Sequence, residues 1–207
     1  ALLALLTPLA DPLHKVSIIP RGAQALGYTM QLPTEDRYTM TKQELLARIT
    51  VMMGGRIAEE IVFQEITTGA QNDLEHATKM ARRMVCEFGM SDRLGNLTYG
   101  KRERQVFLGR DLFEERNYSE QTAVLIDEEI RAIVDGCHTK AKGVLMTNRA
   151  SLDILATSLL EKEVLDGEEV KRMLGMPTAP EASPTLSPHV APSSPPSGND
   201  HPGSTRS

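Results

Sequence analysis

Thr41-Lys42-Gln43-Glu44-Leu45-Leu46-Ala47-Arg48-Ile49-Thr50-Val51-Met52-Met53-Gly54-Gly55-Arg56-Ile57-Ala58-Glu59-Glu60-Ile61-Val62 is the stretch that sets the fold class. Leu45, Leu46, Ile49, Met52, Met53, Ile57, Ile61 and Val62 recur at three and four spacings, the period of an amphipathic helix. Thr41 and Glu44 stand as a T-x-x-E capping box, in which each side chain bonds the other's backbone N–H. The pattern predicts one helix of about six turns. Gly54-Gly55 in its middle costs roughly 1 kcal/mol per glycine relative to alanine, so the pair predicts close approach of a neighbouring backbone, or a kink.

Downstream the helical period continues. A second helix is expected from about Asn72 to Phe88, with Asn72 and Glu75 as its box, Leu74, Ala77, Ala81, Met84, Val85 and Phe88 inward, and Gly89 as its stop. Met90 to Arg116 reads as a loop-rich connection with short β-like pieces at Leu97 to Tyr99 and Val106 to Leu108. Ser119 opens a long helix through Ala123, Ile126, Ile130, Val134, Cys137, Ala141 and Leu145. A shorter one follows Asn148 through Leu152, Leu155 and Leu159, and Asp166 and Glu169 cap a last helix that ends at Gly175. Such short connections favour an antiparallel bundle.

Upstream the period is two. Lys15 to Ile19, closed by Pro20-Arg21-Gly22, and Leu26 to Leu32, closed by Pro33, read as short strands. In the second, Gly27, Thr29 and Gln31 alternate with Leu26, Tyr28, Met30 and Leu32, a half-buried pattern. The expected fold is mainly α: a helical domain with a small β element near the N-terminus and a C-terminal antiparallel helix bundle. Residues 1–176 form one domain, and Pro177 to Ser207, rich in Pro, Ser, Gly and Thr, form a disordered tail without the apolar side chains a core needs.

The net charge of −5, one unit of it from the tail's Glu181, Asp200 and Arg206, argues against a nucleic-acid partner. Cys86 and Cys137 fall within helical patterns and make no disulfide framework, which fits a reducing compartment. The opening Ala1 to Ala10 run is apolar but too short to span a membrane and has no basic region before it, so it is neither span nor signal peptide. An apolar helix end at residue 1 predicts that the same helix extends upstream of Ala1.

Motif search by itself finds little. No two of the five histidines sit at metal-ligand spacing on one helix, and the sequence holds no H-E-x-x-H, phosphate-binding loop or G-x-S-x-G elbow. Asp73 in the first turn of a helix is explained without a metal, since the macrodipole favours an acid there by about 0.3 to 1 kcal/mol. Glu59 reads equally well as an exposed acid beside Arg56.

Four ordered blocks carry more. Asp11-Pro12-Leu13-His14-Lys15-Val16-Ser17-Ile18-Ile19-Pro20-Arg21-Gly22, Ala25-Leu26-Gly27-Tyr28-Thr29-Met30, Gly54-Gly55-Arg56-Ile57-Ala58-Glu59-Glu60 and Thr67-Thr68-Gly69-Ala70-Gln71-Asn72-Asp73-Leu74 resemble successive segments of the FtsH-type zinc metallopeptidases, over about Ala1 to Gly175. In that family a helix carrying H-E-x-x-H supplies two zinc ligands and a general base, and the resemblance places Ala1 directly after its second histidine. Histidines at i and i+4 reach one zinc from one helix face and leave a position for water, whose pKa falls towards 7.

The resemblance implies Asp73 as the third zinc ligand and Glu59, ahead of Glu60, as an acceptor for a ligand histidine's second nitrogen. His14 and His76 are not implied as ligands. Gly27, Tyr28, Thr29 and Met30 would form a substrate-binding edge that pairs with an extended chain through main-chain bonds; the other reading is an interior strand.

For the intact protein the resemblance further implies ATP and Mg2+ at an upstream AAA module and a homo-hexamer with the helices after Ser119 between subunits or over the chamber. It also implies unfolded or membrane polypeptides as substrates, and a bacterial inner membrane with the peptidase on the cytoplasmic side, or an organellar membrane. Residues 1–207 lack the two histidines and the base, so the expectation for this stretch alone is weak or absent zinc binding and no activity. Two other classes remain: a non-catalytic family member serving as an assembly module, and a free-standing helical adaptor, which would carry an initiator Met near residue 1.

Overall fold

A computed structural model describes residues 1–20, 27–32, 39–100 and 117–178. It is mainly helical, organised around α5 (Glu120–Thr147). Ser119 caps this helix by accepting from the Thr122 N–H at 3.2 Å. Ile126, Ile130, Cys137, Ala141 and Leu145 form one buried stripe along it, and α1 (Leu2–Leu6), α2 (Lys42–Met52), α3 (Gly54–Phe63), α4 (Gln71–Cys86) and α6 (Arg149–Lys162) all pack against α5. A single apolar core results, so the helices after Ser119 share their interior with those before it.

The predicted six-turn helix is two. The Thr41 and Glu44 capping box forms as expected, but the helix breaks at Met53, where ψ relaxes to −10°. Met53 still donates to the Ile49 carbonyl and Ile57 to the Met53 carbonyl, so α3 follows α2 with little loss of bonding. Gly54 lies under α1: a Cβ there would be 3.0 Å from Leu3 Cδ1, so the close neighbour is a side chain and not the expected backbone. Gly55 has open space around it. Val62, predicted inward, is exposed, because the apolar face of α3 has passed the core by its last turn.

The start of α4 also differs from expectation. Asn72 and Glu75 do not cap it; a single 3-10 turn, Thr68–Ala70, precedes the helix, and Thr67 caps that turn by accepting from the Gly69 N–H at 3.1 Å. Phe88, predicted buried, is 42% exposed beyond the end of α4, with the Arg83 guanidinium 4.9 Å over its ring. Gly89 takes the left-handed conformation of a helix stop, φ 62°. Leu97 to Tyr99 form no strand; Tyr99 is held instead by bonds to the Cys86 and Leu94 carbonyls and by an edge-on contact with Tyr118. Val106 to Leu108, and the tail beyond residue 178, lie outside the described residues.

Near the N-terminus β1 (Leu13–Ser17) runs between β2 (Tyr28–Gln31) and β3 (Val164–Asp166), antiparallel to both. The third strand was not predicted: three residues between two helices give no alternation to read. The first strand lies two residues upstream of its expected place, with Ile18 and Ile19 past its end, and the second is shorter than expected, with Leu32 past its end and 48% exposed. The pairing slips between Leu13 and Lys15, which puts His14 in an exposed bulge. Asp11 fixes this corner through its ion pair to Arg48 at 2.9 Å and its carbonyl, which accepts from Gln31 Nε2 at 2.8 Å. Asp166 then caps α7 (Gly167–Met173), accepting from the Glu169 N–H at 2.7 Å as expected.

Glu60 ties α3 to α5 through Lys142 Nζ at 2.7 Å and His138 Nε2 at 3.2 Å. The Lys142 hydrogen bond holds its carboxyl below the ordinary value of 4.5, against a smaller desolvation effect, and the charges of Lys142 and His138 add to the lowering. A carboxylate depressed in this way contributes stability above its unfolded value and loses it as the pH falls through the lower folded value. Glu60→Gln should therefore melt at a lower temperature than the parent near pH 7, and the gap should narrow as the pH falls below the ordinary value of 4.5. A gap that stays constant across a pH series of melting curves would count against the tie.

Both cysteines are buried and neither forms a disulfide. No helix of the described residues is long and apolar enough to cross a membrane.

Candidate functional site

One cleft of about 820 Å³ draws together elements far apart in sequence. Its walls are Ala1 and the first turn of α1, the ends of β1 and β2, the α2/α3 junction at Gly54 and Gly55, and the start of α4 at Asn72 and Asp73. Leu145, Leu152, Leu155 and Leu159 of α5 and α6 make an apolar side. Nothing in the local sequence of those leucines marks them as cleft residues; their spacing reads only as helix face.

Asp73 is the third residue of α4 and remains accessible to solvent. Its carboxyl is raised above the ordinary 3.8, chiefly because the cleft walls strip part of its hydration, while the charges of His76 and of the Ala1 amino group pull it back down. The Ala1 nitrogen lies within reach of the Asp73 charge. The first backbone nitrogen of the chain and the Asp73 carboxylate are thus electrostatic neighbours across the cleft. His76 stands one helical turn from Asp73, at i+3, where side chains adjoin.

Among the described residues β2 pairs with β1 alone, on the outer side of the three-stranded sheet. Gly27, Tyr28 and Thr29 line the cleft, together with Gln31; Met30 does not. Gly27 has a packing reason as well, since a Cβ there would lie 2.5 Å from the Ser17 carbonyl oxygen.

Glu59 does not line the cleft. Its carboxylate accepts from the Thr67 N–H at 3.0 Å and from the Thr67 hydroxyl at 3.0 and 3.2 Å. Arg56, one turn earlier on α3, donates from Nη1 to the Thr67 carbonyl at 3.1 Å. Sequence reasoning set Arg56 beside Glu59 only as a neighbouring charge, and it did not single out Thr67 at all. The signal available was that both belong to the ordered blocks quoted above.

Zinc in a catalytic site takes three protein ligands. Asp73 suits one of them, an accessible carboxylate on a helix's first turn that accepts no hydrogen bond from the described residues. Among the described residues, however, no three His, Cys, Asp or Glu side chains lie close enough to share an ion. His14 sits in the β1 bulge, His138 on Glu60, and His189 and His201 outside the described residues. These residues therefore offer one donor, and no catalytic step through a metal follows from them alone.

The family model described as peptidase family M41 matches residues 1–173. Among curated proteins the chain is 58% identical over 174 residues to the "ATP-dependent zinc metalloprotease FtsH" of Pseudothermotoga lettingae, covering 84% of this chain and 28% of that protein. It is 49% identical over 174 residues to the protein of the same name from Thermotoga maritima, with the same shares. To that of Bacillus subtilis it is 53% identical over 173 residues, 83% of this chain and 27% of that protein. The chain thus spans little more than a quarter of the length of these relatives.

Proposed function

The chain belongs to peptidase family M41, and on that premise we propose that it is the peptidase portion of an ATP-dependent zinc metalloendopeptidase that degrades unfolded or membrane proteins. One observation carries the proposal: Asp73, Ala1 and the β2 strand line a single cleft. Asp73 is the carboxylate ligand, and two histidines and a glutamate base come from an H-E-x-x-H helix that precedes Ala1 and continues into α1. Zinc held there would supply the Lewis acidity that lowers the pKa of a bound water.

The residues of this chain do the rest. Asp73 is poised for a metal, because a first-turn carboxylate is fixed in direction by its helix. The strand β2 offers its outer edge to an extended polypeptide, a mode of pairing that reads backbone more than side chains and so tolerates many sequences. ATP and Mg2+ act at an AAA module in the remainder of the protein, which assembles as a homo-hexamer. Its setting is the bacterial inner membrane with the peptidase on the cytoplasmic side; an organellar membrane is the alternative setting. The described residues by themselves offer one donor, and residues 1–207 alone should bind zinc weakly and cleave nothing.

The test is to purify the protein together with the residues encoded upstream of Ala1. It should hold about one zinc per chain and cleave casein in the presence of ATP, and chelation should stop cleavage. A preparation that holds no zinc, or that has no H-E-x-x-H before Ala1, would contradict the peptidase reading and favour a non-catalytic assembly role.

A further inference from the structure

From Val62 to Gly69 every residue is exposed, and the chain regains the core only at Ala70. Apolar packing therefore does little to fix this connection, although it leads straight into the turn of α4 that presents Asp73. What holds it is polar and comes from one face of α3. Arg56 and Glu59, at i and i+3, grip opposite ends of the same residue: Arg56 takes the Thr67 carbonyl, and Glu59 takes the Thr67 N–H and hydroxyl. The Thr67 hydroxyl oxygen in turn accepts from the Gly69 N–H, opening the 3-10 turn that becomes α4. Gly69 leaves room for this arrangement, since a Cβ there would come within 3.2 Å of Thr67 Oγ1 and 3.7 Å of Glu59 Oε1.

We propose that Arg56, Glu59 and Thr67 form a clamp that sets the position of Asp73, so that Arg56 and Glu59 are positioning residues for the metal ligand, acting through Thr67. This rests on the reading of Asp73 as a zinc ligand. Exposed polar bonds of this kind add little to stability but are directional. A ligand held about an ångström out of place loses much of its value to a metal, and supporting partners are typically worth about 10 to 100-fold in metal affinity. The clamp places Glu59 on the turn that carries the carboxylate ligand, which differs from the role of holding a histidine.

The test uses the intact protein with zinc as the probe, its affinity measured by chelator competition. Glu59→Ala and Arg56→Ala should each weaken zinc binding by about 10-fold or more while moving Tm by no more than about 3 °C. Glu59→Gln keeps an oxygen for the Thr67 N–H and should restore most of the affinity. In the 207-residue chain, without metal, Glu59→Ala should speed hydrogen exchange at the Thr67 and Gly69 amides by about tenfold or more.

Unchanged zinc affinity in Glu59→Ala, with Asp73→Ala strongly impaired, would overturn the clamp and leave the ligand reading standing. Zinc affinity unchanged in Asp73→Ala would overturn both. Amide exchange unmoved by Glu59→Ala would overturn the clamp whatever the metal does.

Discussion

Gly167→Ala should cost the chain about 3 kcal/mol or more of stability, a fall in Tm of about 6 to 12 °C. Gly167 opens α7 where that helix crosses the central strand. A Cβ built there would lie 1.9 Å from the Leu13 carbonyl oxygen, 2.9 Å from the Leu13 carbonyl carbon and 3.5 Å from the His14 carbonyl oxygen. All three are backbone atoms, so no rotamer change relieves the clash. Either α7 lifts, exposing the fully buried Val170, or β1 shifts against both its partners.

Two other glycines serve as controls. Gly54→Ala would meet the buried Leu3 side chain, whose Cδ1 at 3.0 Å must shift by a few tenths of an ångström, and should cost about 1 kcal/mol. Gly55→Ala faces open space inside a helix and should be neutral or gain up to about 1 kcal/mol. Thermal melts of the three variants should therefore separate widely, and a Gly167→Ala Tm within about 2 °C of the parent would contradict the packing of α7 on β1.

Asp73→Ala should separate stability from activity. The residue is accessible, and partial desolvation raises its carboxyl above the ordinary value, so the ionised group is not a net support for the fold. Its removal should change stability by less than about 1 kcal/mol, the helix-dipole contribution opposing any gain. In the intact protein the same change removes one of three metal ligands, so zinc affinity and ATP-dependent casein cleavage should each fall by about 100-fold or more, beyond what supporting residues are worth. A variant that keeps both would show that Asp73 is only a first-turn acid. One that loses activity together with its folded spectrum would instead point to a structural role.

The features legible in the sequence were those fixed by contacts a few residues apart. The Thr41 and Glu44 box, the Ser119 cap and the Asp166 cap each pair a side chain with a backbone group three residues on, and each is present. The failures share a cause too. Asn72 had the composition of a cap, but Thr67, held by Arg56 and Glu59 from another helix, starts the turn earlier. Val62, Phe88 and Leu32 continue an apolar period past the point where the core ends, and periodicity carries no information about where a neighbouring element stops. The reason for Gly54 is Leu3, some fifty residues upstream, which no local pattern could name.

The candidate site was legible in its parts but not as a site. Asp73 and the Gly27 to Thr29 edge were singled out by the ordered blocks, and only the fold shows that α1, β2 and α4 bring them to one cleft with Ala1. Glu59 was singled out with a different partner. A glutamate's reach along its own helix is readable from spacing, whereas its bond to Thr67, eight residues on across a turn, depends on how the chain doubles back.

Anomalous diffraction at the zinc absorption edge, from crystals of the intact protein, tests the central claim most directly. The account predicts a single strong peak in the cleft between Ala1 and α4, about 2.0 to 2.2 Å from an Asp73 carboxylate oxygen, with β2 at its rim. A zinc peak elsewhere in the molecule, or a fully loaded zinc that Asp73 does not touch, would contradict it.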